Sequence, residues 1–230
     1  MFSKQSIVLL GKFNPAIFSP FWVRANGILE IDDCADPSVN VIHEDVCDFT
    51  ISEVQFTIER NRAKLSSAVH TIADLVGITN HLFGKVLPHT PLNAAGLNLE
   101  THEDLGSFKN RNRLGRLLAP TGPWGWWADD FENDDPKKNG GLVNLAVRKP
   151  LSTDPISFME FTVQPSRIQE IAQTHVLFAA NNHIEFGKND EQKAVGSNLA
   201  ILEHLNETHS GFVSEFEAIV SHLKGLVDAN

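Results

Sequence analysis

No run of apolar residues in this chain approaches the roughly eighteen that suggest a membrane span. The apolar stretch at 7–10 is too short for a secretory signal core, so the expectation is a cytoplasmic protein that does not engage a membrane. Cysteine is scarce. Cys34 and Cys47 are the two, without CxxC spacing, which argues against a disulfide framework and suits a reducing compartment. Cys47 falls in an alternating apolar segment and reads as a small buried hydrophobe.

Positive charge is also in deficit. Nineteen Lys and Arg stand against 29 Asp and Glu, a formal net charge of −10. This balance opposes non-specific attraction to nucleic-acid phosphates and to anionic membranes, so nucleic acid is disfavoured as a partner. The one basic cluster, KNRNRLGR at 109–116, reads as a solvated helix face, with anion binding as its alternative. Catalytic signatures are missing too: there is no GxSxG, no GxxxxGK[ST], no GxGxxG and no HExxH. Neither a nucleophile nor a cofactor can be nominated, and the reading leans away from an enzyme.

What is present is an element order that runs twice. Residues 6–10 form a short apolar strand, and Asn14-Pro15 opens a helix to about residue 26, with Pro20 straining its continuity. Three strands follow: 39–51, interrupted by His43-Glu44-Asp45; then 54–58; then 63–69. Helical spacing takes over from 72 to 87. After a joint at 88–91 (PHTP) the order repeats, with a strand at 95–99, a helix at 107–118 and a turn-rich acidic stretch at 121–141. Strands at 142–147, 156–163 and 175–186 come next, then a helical segment from 191 to 227. The expectation is α+β: two β-α-β-β-β-α units, 1–90 and 91–230, with antiparallel sheets and a pseudo-twofold relation. The order resembles the TATA-binding-protein-like and helix-grip folds, in which a curved sheet is backed by a long helix. That likeness carries no function.

The last segment supports a four-three seam of Val195, Leu199, Leu202, Asn206, His209, Val213, Phe216, Val220, Leu223 and Val227, apolar at eight of ten positions. One reading makes it a homodimer seam with Asn206 and His209 setting register and Phe216 in the contact. The other lays the helix, or two helices broken near Gly211, on the chain's own sheet.

Ten histidines invite a search for metal ligands. His43-Glu44-Asp45 and His102-Glu103-Asp104 are the dense clusters, but on a strand alternate residues face opposite ways, so at most His43 and Asp45 converge. No metal site is expected. His204 and Glu207 lie three apart on the last helix, without a second ligand-bearing helix to complete a site. The segment 120–131 (PTGPWGWWADDF) is the most unusual in composition. Trp124, Trp126 and Trp127 either form an exposed platform for a partner or fold back to plug the core.

Two stretches, VLLGKFNPAIFSPFW at 8–22 and LLAPTGPW at 117–124, resemble a scattered family of uncharacterised bacterial proteins of similar length, marked by GxFNPxIFxPxW. The resemblance brings no activity, cofactor or catalytic residue. The family's patchy distribution implies genes that travel, such as defence or toxin–antitoxin cargo. The leading expectation is therefore a non-enzymatic protein-interaction module, a subunit or neutraliser in such a pair, binding a protein partner through the Trp loop or the final helix. The alternative is a small-ligand-binding or hydrolytic enzyme with a pocket between sheet and helix, built on His43, Asp45, His102 and Glu103. A third, an acidic mimic of nucleic acid, lacks a long enough acidic run.

Overall fold

In the computed structural model, residues 2–29, 37–131, 140–186 and 194–228 are described. They form a mixed α+β structure with a nine-stranded antiparallel sheet and a long C-terminal helix. The strands are β1 (Phe2–Gly11), β2 (Ser38–Ile42), β3 (Val46–Ile51), β4 (Val54–Glu59), β5 (Arg62–Ser67), β6 (Leu92–Asp104), β7 (Leu145–Thr153), β8 (Ile156–Pro165) and β9 (His175–Glu185). Their spatial order is β2-β3-β4-β5-β1-β6-β9-β8-β7. The first strands of the two sequence halves thus pair at the centre, Ile7 opposite Leu97 and Leu9 opposite Ala95.

Period-two alternation sets the two faces. In β3 and β4, Cys47, Phe49, Ile51, Val54, Phe56 and Ile58 point to one side and are buried, with Phe49 and Phe56 stacked at 5.2 Å. Polar residues take the other side, where the Asp48 carboxylate accepts hydrogen bonds from Asn40, Gln55 and Thr57. The apolar face is covered by α1 (Pro20–Ala25), α2 (Ile72–Asn80) and α4 (Ala194–Asp228), while α3 (Phe108–Leu118) packs against α4.

Several boundaries differ from the sequence expectation. Pro20 cannot continue a helix, so the first one splits into a 3-10 turn at Pro15–Ile17 and α1, which Ser19 caps by accepting from the Trp22 N–H at 3.1 Å. The strand expected at 39–51 is a hairpin, β2 and β3, because His43-Glu44-Asp45 forms its turn; four strands therefore stand where three were expected. Strand β6 runs to Asp104, so His102 and Glu103 lie within the sheet. Helix α2 passes into a π-helical turn at His81–Val86. Helix α4 is one unbroken element of 35 residues, about 50 Å long, with Gly211 inside it.

The segment at 8–22 is a folding device. A Cβ on Gly11 would meet the Pro91 carbonyl oxygen at 2.2 Å, so only glycine lets β1 and the start of β6 approach there. Phe13 and Phe18 are buried, Phe13 edge-on to Phe83 at 5.7 Å and Phe18 against Trp22 at 5.1 Å.

Helix α4 is fixed at both ends of β6. Asn198, buried, accepts from the Leu92 N–H at 2.8 Å and donates to the carbonyls of Pro88 and Thr90. Far along the helix, Lys224 donates to the buried Glu103 carboxylate, which also accepts from Thr101 Oγ at 2.9 Å. Truncating Asn198 removes three hydrogen bonds that tie α4 to the 88–92 joint. Asn198→Ala is expected to cost about 1–3 kcal/mol in urea unfolding with an unchanged m-value.

Ser52 and Glu53 form the two-residue β3–β4 loop, and both sit at positive φ, 48° and 61°. A type I′ hairpin demands this, and glycine adopts it without a Cβ clash. Glu53 is exposed. Glu53→Gly is expected to stabilise the protein by about 1 kcal/mol, seen as a rise in Tm of a few degrees.

Candidate functional site

Helix α3 begins at Ser107, whose hydroxyl accepts from the Asn110 N–H at 3.1 Å, and ends before Pro120. Its arginines are half-buried, so the solvated face expected for 109–116 is not what forms. Arg111 donates to the Ala172 carbonyl at 2.6 Å and to Asn112 Oδ1 at 3.2 Å, with its guanidinium 4.8 Å from the centre of the Phe108 ring. Burial pulls its pKa below the usual arginine value. Arg113 reaches the Val227 carbonyl at 3.5 Å, a cation at the C-terminal end of α4 where the helix dipole favours one.

Beside α3 lies a cavity of about 330 Å³, closed by residues 140–143 and by the end of β8. Leu114, Val163 and Val176 give it a buried apolar floor; Arg111, Arg116 and Arg167 stand on its walls. Ser166 lies at its edge, buried, with Oγ 3.0 Å from His102 Nδ1 and accepting from the Ile168 N–H at 3.2 Å.

The aromatic segment adjoins this cavity. Residues Gly122–Phe131 run as short 3-10 turns that bend at Gly125, where φ is +55°. The rings form a ladder: Trp124 to Trp127 at 5.4 Å, Trp127 to Phe131 at 4.9 Å in an edge contact. Phe131 lines the cavity wall. Trp124, Trp126 and Trp127 are 59%, 84% and 56% exposed, so they do not plug the core.

The final helix is committed to its own chain. Leu202, Phe216, Val220, Leu223 and Val227 are buried beneath it, Phe216 5.9 Å from Phe161 of β8. Asn206 exchanges hydrogen bonds with Asn80 of α2, the shorter at 2.6 Å, and His209 donates to the Leu205 carbonyl one turn back at 3.1 Å. Asn206 is exposed and His209 half-buried, and the described hydrogen bonds of both stay within the chain. Leu199, 62% exposed, is an uncovered position of that series.

The four polar residues of the alternative pocket do not converge. His43 and Asp45 are exposed at the β2–β3 turn, while His102 and Glu103 lie on opposite faces of central β6. Because 43–45 is a turn and not a strand, ligand-capable atoms of His43, Glu44 and Asp45 fall within 4.8 Å of one another. Two of the three are already engaged: Asp45 pairs with Arg60, and His43 Nδ1 accepts the Asp45 N–H at 3.2 Å. A groove of about 580 Å³ does lie between sheet and helix, beside Glu103 and Lys224, and of the four only Glu103 reaches it. His204 belongs to no group of three ligand-capable side chains among the described residues, and its Nε2 is enclosed without a hydrogen-bond partner among them. Burial pushes the Cys47 thiol up to about 11, which makes it an inert core residue; Cys34 lies outside the described residues.

Compared with models of known protein families the chain matches none, and compared with curated proteins it finds no match. The assignment therefore rests on geometry. Sequence reading had found the Trp segment and the basic run. It had not found Arg167, Ser166 or Lys224, which belong to no motif in the sequence and enter their sites only through the fold.

Histidine burial has a consequence for stability. Burial lowers the pKa of His102 and of His204. Each then binds a proton less readily folded than unfolded, so stability falls as pH drops through the unfolded value of about 6.5. Asp74, held low by the Thr71 hydroxyl and backbone, and Asp104, held low by the Gly106 N–H, lose their contribution only at lower pH, near the unfolded carboxylate value. Thermal melts are expected to show Tm declining between about pH 7.5 and 5.5, and His204→Leu should flatten part of that decline. An unchanged slope in the variant would remove His204 as a cause.

Proposed function

We propose that the protein is a non-enzymatic protein-interaction module whose contact surface is the exposed aromatic segment bearing Trp124, Trp126 and Trp127. The observation that carries this reading is the exposure of three large rings in one short segment. Leaving tryptophan in water forgoes roughly 2–3 kcal/mol of burial per ring, and these residues are the ones that most often anchor protein interfaces. Ring contacts from Trp124 to Trp127 and from Trp127 to Phe131 hold two of the three rings before a partner arrives, which lowers the ordering cost of association. The partner is a protein that offers an apolar recess.

The resemblance of 8–22 and 117–124 to the scattered bacterial family gives this module its setting. It would act as a subunit or neutraliser in a defence or toxin–antitoxin pair in the cytoplasm. The strand order supports an origin by duplication. From the central pair β1 and β6, the order β5-β4-β3 runs one way and β9-β8-β7 the other, as two β-α-β-β-β-α units related by a pseudo-twofold axis would give, with β2 an addition to the first.

The test is site-specific photo-crosslinking in cells of a native host. A benzophenone side chain at position 126 is expected to give one discrete adduct with another protein, lost when Trp124 and Trp127 are both changed to Ser. The same group at Phe21, 80% exposed and in α1, serves as control. Equal adduct patterns from the two positions would overturn the reading.

A further inference from the structure

From the cavity beside α3 we infer a second binding site, for a small organic anion: one carboxylate, phosphate or sulfonate group carried on an apolar body. Charge is the first ground. In a chain of formal net charge −10, the described residues lining this cavity include Arg111, Arg116 and Arg167 and no Asp or Glu. Arg116 already has a partner, so the argument rests on the other two.

Arg111 is the second ground. It is half-buried, and its described hydrogen bonds go to a backbone carbonyl and an amide oxygen, both neutral. A guanidinium carries five N–H groups, so some remain for a ligand. Taking a cation out of water without an anion is costly, and its pKa shift, caused by burial, records that cost. The Phe108 ring beneath it and its bond to Ala172 hold the fork in place, so an arriving anion meets a preformed donor. Arg167 stands exposed at the other wall, where it adds a second charge.

Shape is the third ground. The buried floor of Leu114, Val163 and Val176 has no use for a hydrated inorganic ion, and about 330 Å³ accepts one or two rings. An anion with an apolar body satisfies wall and floor together. This site does not depend on the Trp ladder binding a protein, although Phe131 belongs to both.

The probe pair is 8-anilinonaphthalene-1-sulfonate and its uncharged counterpart N-phenyl-1-naphthylamine, titrated into the purified protein at low salt. The sulfonate is expected to bind at one saturable site and to quench Trp124 and Trp127 by energy transfer, and phenyl phosphate should displace it. Arg111→Gln should weaken it by roughly tenfold, the loss expected when a charge-assisted hydrogen bond is removed. Arg167→Gln and Val143→Glu should weaken it in the same direction. Both side chains are exposed, so these two variants keep the test valid should Arg111→Gln unfold. The uncharged probe should change by less than about twofold in all three, because it makes no charged contact. Sulfonate binding that is indifferent to all three changes, or an uncharged probe that weakens as much, would overturn the assignment. The photo-crosslinking result at position 126 is independent of either outcome.

Discussion

Everything in this molecule hangs on the antiparallel pairing of β1 with β6, because neither half of the sheet has a second route to the other. That pairing places Ile7 and Leu9 beside Leu97 and Ala95 and joins the buried apolar faces of the two halves into one, from β3 to β8, with the edge strands β2 and β7 left exposed. Such a face must be covered, and α1, α2 and α4 divide the task. Helix α4 lies along β6, with Asn198 tying its start to the 88–92 joint and the Lys224–Glu103 pair tying its end. Both ties are buried or half-buried polar contacts, which register the helix more strictly than apolar packing alone would.

The two sites proposed above lie at the periphery, on the tip that follows α3. There the chain keeps an aromatic ladder in water and, behind it, an arginine-lined cavity. The two differ in physics. Exposed tryptophan rewards a partner that removes apolar area from water, whereas the cavity rewards a compact anion that meets a fixed guanidinium. The aromatic ladder lies outside the core, whereas the cavity floor of Leu114, Val163 and Val176 is continuous with it.

Much of the fold was legible in the residues. Alternation in 47–58 marked the buried face of β3 and β4, the spacing from Ile72 marked α2, and Ser107 and Pro120 bracket α3. The errors share one cause. His43-Glu44-Asp45 keeps the alternating phase of its flanks, so a turn that reverses the chain read as a pause in one strand. His102 and Glu103 read as a loop end, because polar residues at a sheet's centre look like solvated ones until a helix such as α4 brings Lys224 to Glu103. The Trp segment was visible by composition, but its exposure was not, since three rings among glycine and proline fit a plug and a platform equally well.

By itself, then, the sequence determined the α+β class, the buried thiol at Cys47 and the unusual aromatic segment, because these follow from local periodicity and composition. Only the tertiary structure decided that Leu202, Phe216, Val220, Leu223 and Val227 of α4 face inward, that Trp124, Trp126 and Trp127 stay in water, and that Arg111 and Arg167 share a cavity with no Asp or Glu among its described lining residues. The physical reason is that periodicity states which residues share a face of an element, whereas burial depends on what other part of the chain comes to cover that face.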